Sequence, residues 1–471
     1  MTPSNDEKSA PLSLGDVERP RERPAAAPGD AVSQRDTASL FKETPYWWDQ
    51  VHPPQIPAEA LPKEVDVAIV GSGYTGLCAA LQTARGGRST IVFDAEAAGW
   101  GCSTRNGGQI STSIKPPLQV LARRYGRERG RAILEEGKTA LEWIESFVGE
   151  EGLDCDFRRC GRFHAAHTPQ AYEQLARKVE VQKNESGIEA YAVPRAEQHK
   201  ELGSDAYFGG VVYLRHASLH PAKYHKGLLQ AVLAAGASIQ ADCPVLHVAK
   251  SGGRFLVETQ EGILYARDVL IATNGYSGKL SPWLRRRVIP IGSSIIASEP
   301  LPAETIERLF PTGRVASDTC RIIYYYRPSP DRSRVLFGGR VSARECGAEV
   351  SAPRLHRDMA RIFPELSGVG LSHCWSGTVA YSFDEIAHCG RHDGIHYALG
   401  YCGSGVSLAS YLGMRMGQKI LGLGEGRTAF DDLPFPTRPF YSGTPWFLPA
   451  VVAWYRWRDR REWKDALEVH R

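Results

Sequence analysis

The first clean pattern along the chain is Val65-Asp66-Val67-Ala68-Ile69-Val70, a short run of β-branched and apolar residues that stops at a glycine. Such a run predicts a strand buried on both faces, as in a parallel sheet. Gly71-Ser72-Gly73-Tyr74-Thr75-Gly76 follows at once, then a helix-compatible stretch from Leu77 to Arg85. Ser89 to Phe93 predicts a second strand that ends at Asp94. From Pro117 to Glu151 the period changes. Ile133, Ala140, Leu141, Ile144, Phe147 and Val148 recur at spacings of three and four, which predicts helix.

Beyond Leu153 the pattern alternates again. Strands are predicted at Cys160–Ala165, Ser238–Val248, Phe255–Glu258 and Val269–Ala272, with helices at Ala171–Lys183 and Tyr224–Ala235. This second strand–helix–strand return suggests that distant segments complete the first domain. A strand-rich block follows at Val288–Ala297, Arg321–Arg327 and Val335–Arg340. The last unit is Ile395–Leu399, a glycine-rich turn from Gly400 to Gly405, and a helix from Val406 to Leu421. In that helix Leu408, Leu412, Met416 and Ile420 share a face, and Gly413 and Gly417 allow close packing on another. No internal repeat is evident.

With 471 residues, 47 of them glycine and 30 proline, the chain has too many turns for a helical bundle and suits an α/β fold. A net charge of +4 gives no bulk electrostatic case for a nucleic-acid partner. Ten dispersed cysteines without a C-x-x-C pair predict reduced thiols and no zinc site, so no metal is expected. Residues 1–40 mix Pro, Ala, Asp, Glu and Arg without periodicity, which predicts a disordered tail and no secretory signal. No window reaches the length of an apolar membrane span, and the expected location is cytoplasmic.

The chemistry concentrates at Gly71-x-Gly73-x-x-Gly76. Gly71 permits a tight turn, Gly73 lets a pyrophosphate approach the backbone, and Gly76 lets the helix pack on the strand. The helix start, with Tyr74 and Thr75, offers free N–H groups. Asp94, 23 residues after Gly71, can accept hydrogen bonds from ribose hydroxyls. This predicts a dinucleotide site and leaves NAD and FAD open. A second glycine-rich helix start, Gly403-Ser404-Gly405-Val406, offers N–H donors to a developing negative charge. In Ile322–Arg327, Tyr325 and Arg327 share one side of a strand and Tyr324 and Tyr326 the other. Arg327 is a candidate fork for a substrate carboxylate, with Tyr325 closing the site. His388, near Asp384 and Glu385, is read as structural. The aromatic and basic stretch Trp446–Arg461 is read as a segment packed on the body.

The stretch Gly99-Trp100-Gly101-Cys102-Ser103-Thr104-Arg105-Asn106-Gly107-Gly108-Gln109 resembles the second cofactor-contacting segment of the FAD-dependent amine oxidoreductases of the D-amino-acid-oxidase family. Its Arg-Asn-Gly-Gly-Gln string is most similar to the γ-glutamylputrescine oxidase branch. The resemblance continues through Ile271–Tyr276, Val335–Arg340 and Gly400–Val406, and Ser404 departs from it where histidine is common. It implies FAD, held without a covalent link by Gly71, Gly73, Tyr74, Thr75, Gly76 and Asp94 at the ADP half. Val245 would lie at the adenine, Arg105, Asn106, Gly107, Gly108 and Gln109 at the ribityl chain and ring, and Gly403 to Val406 at the pyrimidine end. Gly377 falls where sarcosine oxidases tether the flavin through cysteine, with Cys374 three residues away. Leu336 falls where a lysine speeds oxygen reduction, which implies slow reaction with oxygen.

The implied fold is a Rossmann-like FAD-binding domain over 60–150, 226–280 and 371–430. A mostly antiparallel substrate domain would take 151–225 and 281–370, and a C-terminal extension 431–471. The implied activity is oxidation of the C–N bond of a small amine or amino acid, with oxygen or a carrier as electron acceptor. The alternatives are an FAD dehydrogenase of another metabolite and a non-catalytic flavin-binding protein.

Overall fold

The computed structural model describes residues 41–57, 59–112, 114–339 and 345–469. The tail expected over residues 1–40, and Arg340 at the end of the Val335 strand, lie outside these residues. Glu64–Val70 sits inside an eight-stranded sheet, parallel to Thr90–Phe93 on one side and to Gly262–Ile271 on the other. Its apolar residues divide between the two faces. Val67 and Ile69 join Val92 in a core with the helices Tyr74–Arg85, Pro221–Ala234 and Gly405–Ile420. Ala68 joins Ile91 and Phe93 against the hairpin Val245–Ser251 and Arg254–Thr259. Burial on both faces is why the run is apolar throughout rather than alternating. Ser238–Gln240 and Ile395–Leu399 extend the sheet in parallel, and His388–His392 closes one edge antiparallel.

The second eight-stranded sheet runs in the order Leu371–Ser382, Val288–Ser298, Val335–Gly339, Tyr324–Pro328, Val315–Asp318, Arg162–Ala165, Gly210–Tyr213, Ala190–Val193. Val315–Asp318 with Arg162–Ala165 is its one parallel pair among the described residues. The fold is therefore α/β, with a Rossmann-like sheet and a mostly antiparallel one, and the chain crosses between them several times. One expected boundary moves. Leu371–Ser382 pairs along its length with Val288–Ser298 in the second sheet, so the last return to the first sheet begins at His388 and not at 371.

Other differences have local causes. Gly126, at φ +86°, splits the expected long helix into Leu118–Tyr125 and Arg127–Glu150. Asp242, at φ +52°, and Pro244 divide the expected strand 238–248 in two. The C-terminal helix Leu448–Val469 packs through Trp463, whose Nε1 donates to the Ala206 carbonyl at 2.7 Å. On the same helix Trp454 and Trp457 stay exposed. His167, Asp459 and Glu462 bring ligand-type atoms within 4.8 Å of one another, a group that sequence spacing could not reveal. Both carboxylates there already pair with the Arg321 guanidinium at 2.8 Å. No helix among the described residues is long and apolar enough to cross a membrane.

Candidate active site

Gly71 turns the chain out of the first strand at φ +107°, where a Cβ would meet the Ala272 carbonyl oxygen at 2.9 Å. At Gly76 a Cβ would fall 1.9 Å from the Gly71 oxygen, so only glycine lets the helix approach the strand this closely. Gly73 caps the helix Tyr74–Arg85 without a side-chain hydrogen bond. The Tyr74 N–H donates to Ser103 Oγ at 3.1 Å, and the next N–H groups have no intrahelical partner. Asp94 is held beside this turn: Oδ2 accepts from Ser72 N at 2.8 Å and Ser72 Oγ at 2.5 Å, and Oδ1 accepts from Glu96 N at 3.2 Å. The Cys243 N–H donates to the Asp94 carbonyl at 2.8 Å, which brings Pro244 and Val245 to the same end.

A second uncapped helix start faces the same space. Gly403, at φ +88°, turns the chain into Gly405–Ile420, and Ser404 at the helix start makes no side-chain cap. Close helix packing aligns the two starts. A Cβ on Gly413 would lie 2.3 Å from the Thr75 carbonyl oxygen, and Thr75 Oγ1 bonds the Tyr401 hydroxyl at 2.7 Å. Between them runs one cavity of about 1910 Å³. It is lined by Gly71, Gly73, Tyr74, Thr75, Asp94, Arg105, Asn106, Gly107, Gln109, Val245, Tyr325 and Gly403 to Val406. Sites for single small ligands occupy about 300–1,000 Å³, so this one has room for a dinucleotide and a substrate.

The loop Arg105–Gln109 is fixed by aromatic residues that the sequence alone did not single out. Trp47 Nε1 donates to the Asn106 carbonyl and Trp375 Nε1 to the Arg105 carbonyl, both at 2.8 Å. Trp48 Nε1 donates to Thr104 Oγ1 at 3.0 Å. The Arg105 guanidinium lies 4.9 Å from the Trp48 ring and 4.4 Å from the Trp100 ring. The pairing of Trp47 with Asn106 spans 59 residues, and no local spacing could signal it. Tyr325 reaches the loop from the second sheet. Its ring would touch a Cβ on Gly107 at 3.2 Å, and its hydroxyl bonds Ser293 Oγ at 2.9 Å.

Arg327 has a different place from the one expected. The two-residue alternation with Tyr325 holds, but the side chain is buried and absent from the cavity wall. Its Nη1 donates to the Gly108 carbonyl at 3.2 Å and to the Leu219 carbonyl at 3.0 Å, and Nε to the Pro328 carbonyl at 3.1 Å. The fork is spent on backbone, so Arg327 anchors the loop instead of a substrate. Gly108 and Gly76 likewise act by close packing and do not line the cavity.

Leu336 does not look onto the cavity either. It packs with Trp47, Ile295 and Trp375, which removes it as the counterpart of an oxygen-activating lysine. Cys374 is buried in the second sheet's core, and the thiol beside Gly377 is that of Cys102. Cys102 Sγ donates to the Thr378 carbonyl at 3.0 Å, and burial pushes its pKa up to about 11. His388 bonds Asp384 at 3.0 Å and stacks on Phe435 at 4.0 Å, in a structural role away from the cavity.

The family model described as FAD dependent oxidoreductase (DAO) matches residues 66–419. The chain belongs to this family. The oxidoreductase is 30% identical to a probable oxidoreductase, OrdL, of Rhizobium meliloti over 88% of this chain and 97% of that protein. It is also 30% identical to the gamma-glutamylputrescine oxidoreductase of Escherichia coli, over 84% of this chain and 93% of that one. In fold it is similar to glycine oxidase from Geobacillus kaustophilus, with a TM-score of 0.67 at 18% identity, covering 80% of this chain and 99% of the other. FAD is the family's cofactor. The cavity suits it, with uncapped helix starts at both ends, a fixed carboxylate at one, and glycines where a Cβ would obstruct the turn.

Proposed function

We propose that this oxidoreductase oxidises the C–N bond of a small amine or amino acid to an imine. The observation that carries the reading is the near full-length match to gamma-glutamylputrescine oxidoreductase, 30% identical over 93% of that protein. The cavity supports it. Ser293, Tyr325 and Ser317 line the space beside the Arg105–Gln109 loop with hydroxyls, and Ser317 Oγ bonds His164 Nδ1 at 2.9 Å. FAD, when bound, accepts two electrons and a hydrogen from the carbon next to nitrogen. The nitrogen lone pair becomes the second C–N bond as that C–H bond breaks, the nitrogen gives up a proton, and water then splits the imine into a carbonyl compound and an amine.

In this reading Gly71, Gly73, Tyr74 and Thr75 hold the pyrophosphate, Asp94 the ribose and Val245 the adenine. The N–H groups after Gly403 and Ser404 lie at the pyrimidine end and favour negative charge there. Tyr325, fixed by Ser293, forms the wall that orients the amine. Anaerobic mixing of the yellow holoenzyme with a panel of amines, amino acids and hydroxy acids tests this. Bleaching of the flavin by amines is the expected result. Bleaching by hydroxy acids alone, or by no compound, would overturn it.

A further inference from the structure

The helix Leu448–Val469 buries one face and leaves the other to solvent. Leu448, Val452, Asp459, Trp463 and Ala466 are buried against the body. On the opposite side Ala450, Trp454, Trp457, Arg461 and Lys464, spaced by four, three, four and three, form one exposed line along the helix. Trp454 and Trp457 are 53 and 51% exposed although their rings stack at 5.1 Å, and the Arg461 guanidinium lies 5.6 Å from the Trp457 ring. Trp446 and Phe440, in the segment that leads into the helix, are 69 and 95% exposed. Large aromatic side chains gathered on a protein surface mark a contact site.

The charge beside this ridge is mostly of one sign. Arg460 flanks the exposed line, and the helix Ala348–Ile362 contributes Arg354 and Arg357. All three are exposed and make no ion pair among the described residues. Arg354 and Arg460 both act on Arg456, whose pKa is lowered first by burial and then by these two charges. The acidic groups nearby are engaged: Asp459 and Glu462 pair with Arg321 at 2.8 Å, and Asp358 accepts from the Tyr324 hydroxyl at 2.8 Å. Arg461 and Lys464 have carboxylates one turn on, Asp465 and Glu468, at 3.8 and 3.5 Å. A second copy of this chain suits the ridge poorly, because a two-fold contact would set a patch of arginines against the same patch. The outer face of a helix is a ridge, and a lipid surface yields to a ridge. Indole rings flanked by arginines suit the headgroup level of a bilayer, where the ring is half in hydrocarbon and the cations meet phosphate. We propose that Trp454 and Trp457, with Arg354, Arg357 and Arg460, dock this oxidoreductase on the surface of an anionic lipid bilayer. This is attachment at the headgroup level and not a span, since no helix among the described residues is long and apolar enough to cross. Docking of this kind is independent of the reaction in the cavity.

Co-sedimentation of the FAD-loaded full chain with sucrose-filled vesicles tests this. Vesicles of phosphatidylglycerol and phosphatidylcholine in equal parts are compared with phosphatidylcholine alone. Wild type should bind the anionic vesicles, and about 10- to 100-fold more weakly to the neutral ones, the scale for a few arginines near a charged surface. High salt should weaken the anionic binding in the same direction. A variant combining Arg354→Gln, Arg357→Gln and Arg460→Gln should show the same loss on anionic vesicles. The double variant Trp454→Ser with Trp457→Ser should bind them about 10-fold more weakly, and the blue shift of tryptophan emission on binding should shrink with it. Melting temperature and the flavin-to-protein ratio should stay at wild-type values in both variants, because the replaced side chains are exposed, so that lost binding is not lost folding. Wild type that fails to sediment with anionic vesicles would overturn the bilayer and leave the ridge to a protein partner. Binding that the tryptophan variant keeps in full would also overturn it, as charge attraction alone. Sedimentation velocity of the protein without lipid reads the remaining occupant. A dimer that the tryptophan variant dissociates, with no vesicle binding, would assign the ridge to a second copy and overturn the proposal.

Discussion

At the residue scale, Arg327 shows what sequence could and could not reveal. Its side of the strand was legible from two-residue alternation, but its partners, Gly108 and Leu219, are more than 100 residues away. Once those carbonyls are known, the expected effect of a mutation changes. Arg327→Ala should cost about 2–4 kcal/mol of stability, because hydrogen bonds from a buried charge are lost and carbonyls are orphaned. FAD content should fall with it, since the anchored loop lines the cavity. Arg327→Lys should not rescue, because one ammonium cannot reproduce the fork. Thermal unfolding and the flavin-to-protein absorbance ratio check this, and unchanged FAD content in Arg327→Ala would count against the anchoring role. Cys102 supports a second outcome. Burial holds its pKa near 11, so the thiol beside Gly377 stays protonated and is a poor nucleophile. Acid precipitation should therefore release all the yellow colour. Colour retained in the washed pellet, and removed by Cys102→Ser, would show a covalent link.

Among the elements, the glycine turn, the strand before it and the helix after it were legible because their residues are neighbours in sequence. Leu371–Ser382 was not. It is an edge strand that lines the cavity through Gly377 to Val379 and Tyr381, and Ser372, Ser376, Gly377 and Thr378 leave it without an apolar alternation. The helix pair Tyr74–Arg85 and Gly405–Ile420 was anticipated through Gly413 and Gly417, and its contact distances give a paired prediction. Glycine to alanine in a helix interior ordinarily gains about 1 kcal/mol. At Gly413 the added Cβ would stand 2.3 Å from backbone, and overpacking of that kind costs about 1–3 kcal/mol, so the clash decides the sign. Gly413→Ala should lower the melting temperature and weaken FAD retention, since both helix starts face the cavity. Gly149→Ala, where a Cβ meets nothing within 4 Å, should be neutral or slightly stabilising. Equal melting temperatures for the two variants would contradict the close-packing account.

For the whole molecule, a single buried carboxylate in the second sheet should set part of the pH dependence of stability. Asp318 ends the strand Val315–Asp318 and is fully buried. Its Oδ1 accepts from the N–H groups of Cys320 and Tyr324, at 3.2 and 3.1 Å, and its Oδ2 from the Tyr207 hydroxyl at 3.2 Å. Burial outweighs these bonds and pushes its pKa up from 3.8 to about 7. The folded protein therefore holds a proton that the unfolded chain releases near pH 4. Stability from this group is fully present below pH 4, falls as the pH rises to 7, and stays low above it. At about 1.4 kcal/mol per unit, the loss by pH 8 is on the order of 4 kcal/mol. An asparagine in its place can accept from both N–H groups with its carbonyl and donate to the Tyr207 oxygen, without a charge to bury. Asp318→Asn should accordingly exceed the wild-type melting temperature slightly at pH 5 and by clearly more at pH 8. Denaturant titrations at the two pH values measure the difference directly. A variant less stable than wild type at pH 8 would mean that the charged form of Asp318 is the one the fold prefers.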